Sequence, residues 1–245
     1  MKASPHVQAR LLDLLALDTR LTQLDHQARS LPELTDIARL EKQADDLDAE
    51  VVRTETALSD LQREVARADA AVQQVRDRAA RDQTRLDAGT GTSKSLQGLQ
   101  HELASLARRQ AVLEDEELEV MERVEAAQAE AQGAARVRDG HGAQLAQLRT
   151  ARDEKLAVVR AERETVASGR DAVVADLSDE LVALYERIRA QRGTGAAALV
   201  QRRCGGCRLE MNAVERGRVA AAAEDEVLRC EECGRILVRT EESGL

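Results

Sequence analysis

Between residues 33 and 88, apolar side chains recur at alternating steps of three and four: Ile37, Leu40, Ala44, Leu47, Val51, Leu58, Leu61, Val65, Ala68, Val72, Val75, Ala79 and Leu86. Only Thr54 and Asp82 interrupt the series. A narrow apolar seam flanked by charge buries itself against a second helix, which is the signature of a coiled coil and not of a helix in a globular domain. Composition points the same way. The chain has no Phe, no Trp and a single Tyr, at 185, with only two prolines and 33% charged residues. Aromatic side chains supply much of the buried bulk of an ordinary core. Their absence argues against a large enzyme domain or a β-sandwich and for long helix.

The seam stops at Asp87-Ala88-Gly89-Thr90-Gly91-Thr92-Ser93, where two glycines and a Thr/Ser cluster predict a turn with good N-cap candidates. A second seam follows: Leu96, Leu99, Leu103, Leu106, Leu113, Val120, Val124, Ala127 and Ala131. Two arms joined by a short turn make an antiparallel helical hairpin. Reflection about residue 91 sets Arg63 and Arg67 opposite the acidic run Glu114 to Glu117. The Ala- and Gly-rich stretch Gly133 to Gly142 predicts a bend or frayed segment, because Gly in a helix interior costs about 1 kcal/mol against Ala. Heptad spacing resumes from Leu145 to Ile188. The reflection places that part beside residues 5–31, whose seam is Val7, Leu14, Leu17, Leu21, Leu24, Ala28 and Leu31. Proline removes an amide donor and disfavours helix in the residue before it, so a break is predicted near Pro32, facing residues near 150. The hairpin satisfies its own seam as a monomer, while Leu11, Leu12 and Leu15 are candidates for pairing two chains.

The C-terminal end differs in kind. Its pattern is C-x2-C-x22-C-x2-C, formed by Cys204, Cys207, Cys230 and Cys233. Two residues between cysteines make a tight knuckle that aims both sulfurs at one ion, and two knuckles give a tetrahedral thiolate set suited to Zn²⁺. All four histidines lie far off in sequence, so the ligands are expected to be cysteine alone. Four protein ligands leave no open position, which makes a single structural ion the expectation. Iron in an S4 site is the rival, with two disulfides a weaker alternative. Leu199-Val200, Leu209 with Met211, Val227-Leu228 and Ile236 to Val238 read as ribbon strands, and Ala213 to Ala223 as one short helix. The expected fold is therefore mainly α: a long antiparallel coiled-coil hairpin over residues 1–190, with its tip near 88–95, a linker over 191–198, and a small C4 zinc ribbon over 199–245.

These parts resemble a bacterial family that joins a coiled-coil hairpin to a C4-type zinc ribbon, with actinobacterial and chlamydial members and the flagellar-biogenesis regulator of ε-proteobacteria. Ser93-Lys94-Ser95-Leu96-Gln97-Gly98-Leu99-Gln100-His101-Glu102-Leu103 is similar to the family's Lys-Glu-Leu-x-x-Leu-x-x-Glu tip, with Ser95 where the family usually has Glu. Cys230-Glu231-Glu232-Cys233-Gly234-Arg235-Ile236-Leu237 is similar to its Cys-x-x-Cys-Gly-Arg-Ile-Leu ending. The flagellar member is understood to bind a sigma factor and a flagellin transcript. The resemblance implies an adaptor or regulator with a transcription-related protein partner, and a nucleic-acid partner besides.

Charge separates the readings. The net charge of −9 falls wholly on residues 1–191, because residues 192–245 carry nine basic and nine acidic side chains. Arg187, Arg189 and Arg192 precede the first knuckle, and Arg202, Arg203 and Arg208 flank it. These last three are the candidate contacts to RNA or DNA phosphates. Against that stand the acidic total and the lack of aromatics for stacking single-stranded bases. Lys94, Leu99 and Glu102 at the tip are the candidate protein-binding residues. The run Gly89 to Ser95 only superficially matches a phosphate-binding loop, because its second glycine is misplaced and a coiled-coil arm precedes it. No catalytic set stands out, so no enzyme, small-molecule substrate or membrane role is expected. The absence of an 18-residue apolar run and the interruption of the first leucine run by Asp13 predict a cytoplasmic protein.

Overall fold

A computed structural model describes residues 1–245. It contains the helices α1 (Pro5–Arg29), α2 (Pro32–Asp87), α3 (Ser93–Ala175) and α4 (Asp179–Arg192), followed by β1 (Ala196–Val200), β2 (Arg203–Cys204), α5 (Ala213–Ala221), β3 (Leu228–Arg229) and β4 (Ile236–Val238). Residues 35–149 form one compact unit; residues 1–34 and 150–245 form the other.

In the unit of residues 35–149, α2 and α3 run antiparallel. Arg78 meets Glu102 at 2.6 Å, Arg76 meets Glu114 at 2.6 Å, and Glu64 meets Arg123 at 3.3 Å. Further along, Glu41 meets Arg149 at 2.6 Å. The register differs from reflection about residue 91. Arg63 pairs with Asp60 of its own helix, and the partner of Glu114 is Arg76. Gln110 and Arg76 together hold the Glu114 carboxyl below its usual range. The reason is that a seam of Leu, Val and Ala accepts more than one offset, so reflection about the turn does not set the register. The stretch Gly133 to Gly142 shows no break, since α3 continues through it. No residue of that stretch is buried, Ala131 just before it being the nearest that is, so the helix passes through it on the hydrogen bonding of its own backbone.

The two polar interruptions of the seam are buried and satisfied locally. Thr54 donates to the carbonyls of Glu50 and Val51 at 3.1 and 3.0 Å. Asp82 lies 3.9 Å from Arg78 and 3.5 Å from Arg85. Polar seam residues select register at a cost in stability. Asp82→Leu is therefore expected to stabilise the hairpin by about 1 kcal/mol or more, read as a higher Tm in helix-monitored melting. A lowered Tm would show that the carboxylate contributes more than it costs.

In the second unit, helix breaks at Ser30-Leu31 before Pro32, as the proline predicts. Glu33 pairs with Lys155, and that contact draws the Glu33 carboxyl below its usual range. A second break, at Asp176 to Ser178, separates α3 from α4, where the spacing from Leu145 to Ile188 reads as unbroken. Its signal is nonetheless in the sequence: Ser178 followed by Asp179 and Glu180 is an N-cap with acidic first-turn residues.

The segment read as a linker holds the last residues of α4 and the first of β1, and Ala196 and Ala197 are buried. The four strands order as β2-β1-β4-β3, with β1 parallel to β4 and the outer pairs antiparallel. Leu209 and Met211 belong to no strand. One core cluster joins Leu11 and Leu14 of α1, Val173 and Leu177, Leu181, Tyr185 and Ile188 of α4, Ala196 of β1, and Ile236 and Val238 of β4. The ribbon is thus welded to helices. Leu11, a candidate for pairing two chains, lies fully inside this core. The chain's beginning adds main-chain ties to the ribbon: Ala3 N–H donates to Asp225 O at 2.8 Å, and Val227 N–H to Met1 O at 3.2 Å.

Candidate metal centre

The first knuckle grows from a two-residue hairpin. β1 and β2 pair Leu199 with Cys204 and Val200 with Arg203, leaving Gln201 and Arg202 as the turn. Both have positive φ, 47° and 64°, which matches the mirror-image turns that suit the twist of paired strands. Asn and Gly usually take such positions; here the 3₁₀ turn Glu241–Ser243 holds the loop. Gln201 N–H donates to Glu242 O at 2.7 Å and Arg202 N–H to Ser243 O at 2.8 Å. Gly205 follows Cys204 where a Cβ would lie 2.9 Å from Ala198 O, so the knuckle reaches this close to β1 only without a side chain.

The two knuckles close in the same way. Arg208 N–H donates to Cys204 O at 2.7 Å and Cys204 N–H to Leu209 O at 3.1 Å. In the second knuckle, Gly234 N–H donates to Cys230 O at 2.9 Å and Cys230 N–H to Arg235 O at 3.0 Å. The residue after each second cysteine is left-handed: Gly234 at φ 74° and Arg208 at φ 62°. A side chain pays roughly 1–2 kcal/mol for that conformation, and glycine does not.

The closures bring all four sulfurs within 4.8 Å of one another. Cys204 and Cys233 are 3.8 Å apart, Cys207 and Cys230 3.9 Å. A tetrahedron of sulfurs with metal–sulfur bonds of ~2.3 Å has edges of about 3.8 Å, so the donor set fits a zinc-sized ion. Ala197, Leu199, Met211, Val219, Leu228 and Leu237 pack around the cysteines, and only Cys207 is half-exposed. Burial pushes the Cys204 and Cys230 thiols up. At Cys233 burial also acts upward, but the main-chain amide and guanidinium of Arg235 outweigh it and bring the thiol down to about 7. The same guanidinium donates to Thr194 Oγ1 at 2.6 Å and to Arg192 O at 2.7 Å, which ties the end of α4 to the second knuckle.

Two segments of the chain match family models: residues 14–193 the CT398-like coiled coil hairpin domain, and residues 203–237 a C4-type zinc ribbon domain. The chain belongs to the CT398-like coiled coil hairpin family. Among the relatives of this family member, protein Rv2229c of Mycobacterium tuberculosis is 42% identical over 241 residues, covering 98% of each chain. A solved structure from Mycobacterium smegmatis is 39% identical, with a TM-score of 0.81, over 98% of this chain and 100% of the other. The structure of CT398 from Chlamydia trachomatis shares the fold at 16% identity and a TM-score of 0.61, over 96% and 98%. No helix is long and apolar enough to cross a membrane.

The remaining candidate residues are dispersed. Arg203 pairs with Glu210 at 3.3 Å, and Arg202 Nε donates to Gly244 O at 2.8 Å. Arg208 is exposed. Arg189 turns inward to Asp18 at 3.2 Å. At the tip, Leu99 and Glu102 line a groove of about 370 Å³ with Arg85, Thr90, Ser95 and Gly98, and Lys94 stays outside it. Sequence reasoning missed Arg235 and Glu215. Glu215 carries a signal as the fourth residue of Asn212-Ala213-Val214-Glu215, a helix-start pattern, but nothing in that spacing indicates a contact with a knuckle.

Proposed function

We propose that this chain is a non-enzymatic, cytoplasmic adaptor, in which one structural Zn²⁺ holds the ribbon and the hairpin presents the surface that binds a protein partner. The observation that carries this is the closed donor set. Four cysteines at tetrahedral spacing use every position of a four-coordinate ion, so none is left for water or substrate. Zinc is favoured over iron by the family's C4-type ribbon model. The hairpin tip supports the adaptor reading through the groove that gathers Leu99 and Glu102. By family resemblance, the partner is transcription-related. Elemental analysis is expected to return one zinc per chain, with no visible absorption of an iron–sulfur centre. Pull-down with intact chain and with a Lys94→Glu, Leu99→Glu variant is expected to lose a reproducible partner in the variant. An unchanged partner set would remove the tip from the proposal.

One observation favours a second reading, RNA or DNA binding through the ribbon. Arg202 and Arg208 keep left-handed backbone that glycine would hold without strain, and strained residues concentrate at functional sites. Arg208→Gly is expected to stabilise the ribbon by about 1 kcal/mol. Under this reading it also weakens anisotropy-detected binding of labelled oligonucleotides at low salt, as does Arg202→Ala. No binding at low salt by the zinc-loaded chain leaves protein partners alone.

A further inference from the structure

Glu215 is 2% exposed, an unusual place for a carboxylate, which is costly to bury without partners. It stands in the first turn of α5, where its own N–H donates to Oδ1 of the cap residue Asn212 at 2.8 Å. Its Oε1 accepts the main-chain N–H of Glu231 at 3.2 Å. Glu231 lies between the ligands Cys230 and Cys233, so this is an anchor inside the second knuckle. The same knuckle residue is tied outside as well, where Glu231 Oε1 meets Arg218 of α5 at 3.2 Å. Between these contacts Val219 of α5 packs in the cluster that holds the cysteines. The first knuckle is braced differently, by Gly205 N–H donating to Ala198 O of β1 at 2.8 Å. The second knuckle, set between β3 and β4 and tied to α4 by Arg235, thus has in Glu215 a buried side-chain anchor that the first lacks.

We propose that Glu215 is a positioning residue of the zinc centre: its carboxylate fixes the Glu231 amide, and through it the geometry in which Cys230 and Cys233 meet the ion. The inference rests on the assignment of zinc to the four cysteines. Groups that orient the immediate ligands of a metal typically change metal retention by about 10- to 100-fold when removed. Acceptor geometry is the property that matters, so Gln substitutes for Glu and Ala does not.

The test uses full-length, zinc-loaded chain. Zinc transfer to a chromogenic chelator is timed for wild type, Glu215→Gln and Glu215→Ala. Amide hydrogen exchange is followed in parallel at Glu231 and at Arg208 of the other knuckle. Glu215→Ala is expected to release zinc about tenfold faster or more, with fast exchange at Glu231 and retained protection at Arg208. Glu215→Gln is expected to stay within a few-fold of wild type on both readouts. Val219→Ala, a core truncation in the same helix, controls for general loosening, because it should speed exchange at both knuckles together. Equal behaviour of Glu215→Ala and wild type overturns the proposal, as does loss of protection at both knuckles in Glu215→Ala. If Glu215→Ala does not fold, the Gln variant decides: zinc release or Glu231 exchange faster by tenfold or more overturns the acceptor role. A wild-type chain that carries no zinc overturns the metal assignment first, before any variant is compared.

Discussion

Chelation of the metal from the full-length chain is expected to unfold the ribbon and to loosen α1 and α4 with it, while residues 35–149 keep their helical protection. The ribbon alone has too few residues for a sufficient core, and zinc bound to four thiolates contributes on the order of 10 kcal/mol of apparent folding energy. Its strands do more than enclose the ion. Ala196, Ile236 and Val238 fill the cluster that also buries Leu11, Leu14, Leu181 and Tyr185. Loss of β1 and β4 therefore opens a large hole beside the helices. The α1 start also loses its ties to Asp225 and Val227. Residues 35–149 form a separate compact unit with its own seam and cross-arm ion pairs. Hydrogen exchange before and after chelation checks this. Fast exchange in α1, α4 and the ribbon with slow exchange in residues 35–149 is the expected result. Protection of α1 that survives complete zinc removal would contradict it.

The second large effect centres on Asp18. Its carboxylate is 3% exposed, and three donors from two other helices converge on it. Tyr185 OH donates at 2.9 Å, Arg170 Nε at 2.7 Å, and Arg189 Nε lies at 3.2 Å. Arg170 and Arg189 also reach Glu186. Asp18→Ala leaves two guanidinium groups and a buried hydroxyl facing an empty space. Breaking one partner of a buried charged network costs about 3–5 kcal/mol. The arginines are partly exposed, so the lower end, about 3 kcal/mol, is the expectation in denaturant melts. Asp18→Asn keeps an acceptor and should lose less.

Tyr185 gives this cluster its own optical readout, as the chain's single tyrosine. Burial first, and the Asp18 carboxylate next, push its phenol above the ordinary value of 10.0. A group whose folded pKa is raised contributes stability that is complete below the unfolded value and is lost as pH rises past it. The folded protein is therefore expected to keep the phenol neutral, and stability should fall as pH rises above about 10. Phenolate absorbance and loss of helix should appear together in an alkaline titration. Phenolate forming while helix is intact would show that Tyr185 is reachable by hydroxide in the native state.

The parts of this protein that sequence alone determines are those set by local chemistry. The three-and-four spacing from Ile37 to Leu86 defines a buried stripe whatever lies opposite it, and Pro32 ends α1 because it lacks a donor. The Gly/Thr/Ser run at 89–93 has to turn, and paired C-x2-C motifs close into knuckles through hydrogen bonds among neighbouring residues. Tertiary structure alone decided what meets across distance. A stripe of Leu, Val and Ala tolerates sliding, so the offset between α2 and α3 emerged only from pairs such as Glu64 with Arg123 and Glu41 with Arg149. Asp18, Arg170 and Tyr185 are each unremarkable in sequence; three helices make them one cluster. Parallel pairing of β1 with β4 turned the expected linker into a shared core, and the fold of α5 onto the second knuckle brought Glu215 against the Glu231 amide. Those contacts depend on backbone paths separated by many residues, and no local periodicity encodes which of the available partners a buried charge will find.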